Sequence, residues 1–222
     1  MTSLGRRSLG TLLGAALLAC GPAPTTHPPS SPGCLPTARA VIGTWSHQTS
    51  AMELRPDGYL LRNSLEGTYR WTDPGRVQLD VGGMHLAYTL GLSNVVTLLL
   101  VDPDGHGEIW TRLSPAPSIP PDCYDVRGSL VGDWTDGLSP EHFGAAGEYE
   151  RSPTSGSWAM VEAGAIEITA LGVARREQVA LATPSMLVIV PQPLDPSSAG
   201  GVLEVIPGAP RIVRRLASAA QP

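Results

Sequence analysis

Apolar and polar residues alternate in short runs along most of this chain. Val77, Leu79 and Val81 are spaced by Gln78 and Asp80, and Leu86, Tyr88, Leu90 and Leu92 continue the same period of two. Such alternation marks strands with one buried and one wet face. Residues 95–101 are apolar but for Thr97, the pattern of a strand covered on both sides. The pattern predicts strands over 41–47, 52–54, 59–62, 67–72, 77–81, 86–92, 95–101 and 108–113. Pro56-Asp57-Gly58, Asp73-Pro74-Gly75 and Asp102-Pro103-Asp104-Gly105 separate them with strong turn chemistry. No stretch has helical periodicity.

The same order then repeats. At a fixed interval of 89 positions Cys34 matches Cys123, Gly43 matches Gly132, Trp45 matches Trp134, and Gly58, Gly67 and Gly75 match Gly147, Gly156 and Gly164. The register holds without a gap to Val101 and Val190, and pairs such as Tyr69/Trp158 and Leu79/Ile168 conserve character. Two copies of one β module are therefore expected, at 39–113 and 129–217, joined by a linker over 114–128 and followed by a tail over 218–222. Copy two opens over 130–135, alternates over 165–169, has its apolar strand at 186–190 and closes over 212–216. Residues 191–201 are an insertion rich in Pro, Ser and Gly. The fold class is all-β: two tandem small antiparallel meanders, closed or nearly closed into barrels. If each closes alone, side chains just fill it; if they share one sheet, a ligand cavity becomes possible.

The chain ahead of the modules has a different character. Arg6 and Arg7 precede a short apolar run that ends in Leu17-Leu18-Ala19-Cys20, the layout of an export signal over 1–19. Leu-Leu-Ala-Cys resembles the bacterial lipobox. That resemblance implies that Cys20 becomes the first mature residue and carries a lipid anchor. Gly21 in place of an aspartate leans, by the same resemblance, towards the outer membrane. Residues 20–38 are crowded with proline and read as an extended spacer.

Composition narrows the function classes. There is no lysine, which removes Schiff-base chemistry, and a net charge of −5 without a basic cluster argues against nucleic-acid binding. With Cys20 acylated, Cys34 and Cys123 remain. Export favours a disulfide between them, worth roughly 4–5 kcal/mol in a chain-entropy account; free thiols or an intermolecular bridge are the alternatives.

Gly43-x-Trp45 on a first strand with Arg112 on a last one resembles the lipocalin-like, or calycin, pattern, and Gly132-x-Trp134 with Arg214 or Arg215 repeats it. The block from Trp45 through Pro56-Asp57-Gly58-Tyr59 to Gly67-Thr68-Tyr69 is also similar to small bacterial lipocalin-like lipoprotein domains. The resemblance implies that each tryptophan plugs a barrel end with an arginine stacked over it, a structural role.

Reactive constellations are sparse. Asp102-Pro103-Asp104-Gly105-His106 is shorter than a calcium loop and reads as a hairpin turn, so no metal is expected. His47, His85, His106 and His142 have no matching histidines across the copies. Asp73 and Glu162 are the acidic pair kept in both, each beside a turn. The expected function is a non-catalytic, lipid-anchored envelope protein, neither enzyme nor cofactor carrier, acting as a binding or structural module. The insertion is its candidate contact loop for an envelope protein. Carriage of a small apolar ligand and a cryptic hydrolase are the competing readings. A large apolar cavity would favour the first and convergent titratable groups in a cleft the second.

Overall fold

The computed structural model describes residues 37–120, 123–192 and 209–217. A short helix, α1 (Thr37–Ala40), leads into eight strands: β1 (Gly43–His47), β2 (Ser50–Leu54), β3 (Tyr59–Arg62), β4 (Leu65–Asp73), β5 (Arg76–Val81), β6 (Met84–Ser93), β7 (Thr97–Val101) and β8 (Gly107–Arg112). Each pairs antiparallel with the next, and β8 returns to β1 through Trp45↔Arg112, so the ladder closes into a barrel. A second helix, α2 (Val126–Leu130), precedes β9 (Gly132–Thr135), β10 (Pro140–Phe143), β11 (Glu148–Arg151), β12 (Thr154–Glu162), β13 (Ala165–Ala170), β14 (Val173–Thr183), β15 (Met186–Gln192) and β16 (Arg211–Arg215). These close likewise, β16 meeting β9 at Arg215↔Trp134. The chain is thus all-β, with two eight-stranded antiparallel barrels in tandem.

The two helices are absent from the alternation pattern because a single turn is too short to express a helical period. Each nonetheless buries apolar residues, Ala40 in α1 and Val126 and Leu130 in α2. Asp125 caps α2 by accepting from the Arg127 backbone N–H at 3.0 Å. Structure also trims the insertion. Pro191 and Gln192 continue β15, paired with Glu177 and Arg176. Residues 193–201 of the predicted contact loop lie outside the described residues.

The shared glycines have a steric cause. A Cβ on Gly67 would sit 2.1 Å from the Asp80 carbonyl oxygen, and one on Gly156 would sit 2.0 Å from that of Thr169. Both lie where adjacent strands press together, one repeat interval apart. Tyr69 and Trp158 are likewise interchangeable. The Tyr69 hydroxyl donates to the Arg55 carbonyl at 2.6 Å, and Trp158 Nε1 donates to the matching Gly144 carbonyl at 3.0 Å.

Barrel interiors are filled. Trp45, Leu60, Leu92 and Leu98 are completely buried in the first, as are Trp134, Phe143, Ile166 and Leu187 in the second. A void of about 10 Å³ remains among Met52, Tyr69, Val77, Leu79 and Leu90, room for one water. The barrels then bury their outer faces on each other through Leu99, Val101, Ala180, Ala182, Val188 and Val190. This explains the all-apolar strands: in β7, Leu98 and Leu100 face the barrel core while Leu99 and Val101 face the neighbouring barrel.

The junction is two-fold in character. Leu92 bridges Leu181, its own counterpart one interval on. A Cβ on Gly91 would come 2.9 Å from Ala180 Cβ, again its counterpart. Gly75 abuts Ala182, and Gly164 abuts Ser93, which are reciprocal contacts. That is the signature of an isologous interface, here within one chain.

Because the obstructing atoms at Gly67 and Gly156 are backbone, no side-chain rotation relieves an added methyl. Gly67→Ala and Gly156→Ala are each expected to destabilise the protein by about 2–3 kcal/mol, read from urea unfolding. Gly128→Ala in α2, with nothing within 4 Å of the added carbon and no positive φ, should cost nothing in the same assay.

Candidate functional site

Each barrel is plugged at one end by its helix, tryptophan and arginine. Trp45 is fully buried and donates Nε1–H to the Val41 carbonyl at 2.8 Å, just past α1. Arg112 lies over its ring, 4.1 Å from the centroid. Its guanidinium donates to the carbonyls of Ile42 at 2.8 Å and Val95 at 2.6 Å, and also to that of Ala40. These include carbonyls left unpaired where α1 ends. Val95 is held at φ +56°, unfavourable for a β-branched residue, and its carbonyl is one of the three acceptors. A Cβ on Gly43 would meet Arg112 Nη1 at 2.6 Å, so the glycine makes the space that the arginine fills.

The second barrel repeats the device. Trp134 Nε1 donates to the Leu130 carbonyl at 2.7 Å, Arg215 stacks 4.4 Å from its centroid, and Gly132 leaves room for Arg215 Nη1. Arg215 donates to the carbonyls of Ser129 at 2.6 Å and Val131 at 3.2 Å, at the end of α2. Of the two arginines the sequence left open, Arg215 therefore takes the role. Neither Arg112 nor Arg215 pairs with a carboxylate among the described residues, and burial lowers the Arg112 pKa.

The opposite ends are closed by ionic clusters that the sequence reading passed over. In the second barrel Arg211 grips two carboxylates, Glu141 at 2.7 Å and Glu177 at 2.8 Å. Arg175 joins Glu177 at 3.0 Å and the Tyr149 hydroxyl at 2.8 Å, and that hydroxyl donates to Glu141. Burial, then the Glu141 charge, pushes the Tyr149 phenol up to about 12. Burial raises the Glu177 carboxyl, but Arg211 and Arg175 outweigh it and leave its pKa below the ordinary value. In the first barrel the polarity is exchanged: Glu108 stands opposite Leu100 where Arg211 stands opposite Ile189. Glu108 accepts from Arg62 at 2.7 Å and from Trp110 Nε1 at 2.9 Å. Extending the strand alternation into 141, 177 and 211 would have flagged three charged residues on inward-facing rungs.

The remaining candidates are dispersed. Cys20 and Cys34 lie outside the described residues; Cys123 is buried and has an interaction partner. His47 bonds the Ile109 carbonyl, while His85, His106 and His142 each pair locally with Asp80, Asp102 and Asp133. Asp102, Asp104 and His106 come close enough to share an ion but are tied into their own turn, with His106 N donating to Asp102 at 2.8 Å.

Two surface clefts flank Trp71 on the helix-plugged end of the first barrel. One, of about 480 Å³, runs between α1, the β4–β5 turn and the β14–β15 turn of the second barrel; the other, of about 610 Å³, reaches Arg39 and Asp57. Nothing in the strand pattern distinguished Trp71 from a core residue.

Replacing Arg112 with lysine keeps the charge but removes the planar fork that reaches three carbonyls. Arg112→Lys and Arg215→Lys should each lower stability by about 2 kcal/mol in chemical denaturation. A carboxylate whose folded pKa lies below its unfolded one stabilises the native state above the unfolded value and loses that contribution as pH falls through the folded value. The Glu177 contribution is therefore complete above 4.5 and fades below it. Denaturation midpoints measured down to acid pH should fall less steeply in Glu177→Gln than in the wild type, from a lower starting stability.

Comparison with protein-family models, with curated proteins and with solved structures finds no match to this chain.

Proposed function

We propose that this chain is a non-catalytic, lipid-anchored envelope protein, lipocalin-like in build, whose paired barrels act as a binding or structural module. The observation that carries the reading is how completely the barrels are filled. A carrier cavity typically spans hundreds of cubic ångströms. The first barrel keeps about 10 Å³, and the second is occupied by Phe143, Trp158 and the Arg211 cluster. Recognition then falls to the outer surface. The charged groups inside the second barrel are saturated by one another, an arrangement suited to holding a fold rather than transferring protons.

In the same reading Cys20 carries the anchor and tethers the protein to the outer membrane through the proline-rich spacer. Cys34 and Cys123 form a disulfide. Two observations support that pairing: Cys123 is buried with an interaction partner, and the hydroxyl of the adjacent Tyr124 bonds Thr37, three residues beyond Cys34. The bond would fasten the tether to both modules.

Expressed in a Gram-negative host, the wild type should incorporate labelled fatty acid and fractionate with membranes, whereas Cys20→Ala should be released in soluble form. Native mass spectrometry of protein from its own host should show no retained apolar small molecule. A stoichiometric lipid or other ligand that survives purification would replace this reading with carriage.

A further inference from the structure

We propose that the clefts on either side of Trp71 form a binding site for a neutral oligosaccharide; this rests on the reading of the chain as a binding module and names its partner class. Trp71 is half-buried, packs against the core of the first barrel, and lines both depressions, of about 480 and 610 Å³. Sugar rings carry flat apolar faces that stack on an indole, with hydroxyls around the edge that both donate and accept.

The walls supply that second requirement. Asp73, Thr72 and Thr183 line one cleft, and Arg39 and Asp57 line the other. Arg39 and Asp73 are exposed and engage no other side chain among the described residues, so their bonding capacity is open to a ligand. Across the two clefts together, an anionic ligand meets Asp57 and Asp73 and a cationic one meets Arg39. A hydroxyl satisfies both.

An extended peptide fits less well. Both barrels are closed, so neither cleft offers a free strand edge for β-addition. Grooves for proline-rich helices use several exposed aromatic rings. Here Tyr69 is buried with its hydroxyl committed to Arg55, leaving Trp71 to act alone.

The second barrel supplies a fold-compatible test. Met160 pairs with Ile166 on the rung where Trp71 pairs with Val77, so methionine suits the position. The full chain would be titrated with tetra-N-acetylglucosamine, cellotetraose and maltotetraose, using tryptophan fluorescence and saturation-transfer NMR. At least one probe should bind. Trp71→Met should weaken it at least tenfold and Asp73→Asn at least threefold, while Asp133→Asn on the far barrel leaves it unchanged. Absence of binding by all three probes, or equal affinity in Trp71→Met, overturns the proposal. So does binding of a synthetic peptide of residues 21–36 at Trp71 in place of the sugars. A partner retained from the host and indifferent to Trp71→Met would refute the sugar site while leaving the module reading intact.

Discussion

An arginine laid over a buried tryptophan organises each half of this protein. The last strand of the barrel ends on the cation and the first strand begins at the indole, so their contact is also the seam that closes the ladder. Among the described residues the guanidinium has no carboxylate to neutralise it. It is satisfied instead by carbonyls at the end of a one-turn helix and by the π-face of the ring. Stripping such a cation of water is costly, and it is tolerated because the fork finds carbonyl acceptors, three for Arg112 and two for Arg215. The helix, too short to stand alone, is held in place by the residue it helps to bury. Glycine completes the arrangement, since any side chain at Gly43 or Gly132 would occupy the guanidinium's position.

Much of this was legible in the residues alone. Alternation located the strands because in a barrel one face of every strand is buried, and the repeat interval paired the two copies. Gly-x-Trp and the late arginine were visible as a pattern, although only coordinates could choose between Arg214 and Arg215, neighbours that point to opposite sides of β16. The plugging helices escaped notice because four or five residues cannot display a period. The Arg211 cluster escaped for a different reason: charge reads as surface unless the register is followed through it. Glu141, Glu177 and Arg211 lie inward, where mutual pairing offsets the desolvation each would suffer alone.

The apolar strands carried a further message. Leu98 to Val101 and Leu187 to Val190 have no wet face because each barrel uses one side as its core and the other as a seat for its twin. Small residues at Gly91, Ala180 and Ala182 let the backbones approach closely enough for Leu92 to bridge Leu181. The polar ends of the barrels, by contrast, have diverged. One uses a central glutamate and the other a central arginine at the same rung, so both ends close ionically with opposite central charge.

Fusing two like units across a self-complementary seam has a physical consequence. Ordinary twins held by such a seam part on dilution; these share a backbone, so their union is independent of concentration. Their sequences are also released from identity, since each side of the seam is encoded separately. A tryptophan can then stand at residue 71 while its sister position keeps a methionine, giving a symmetric frame one face that is unlike the other.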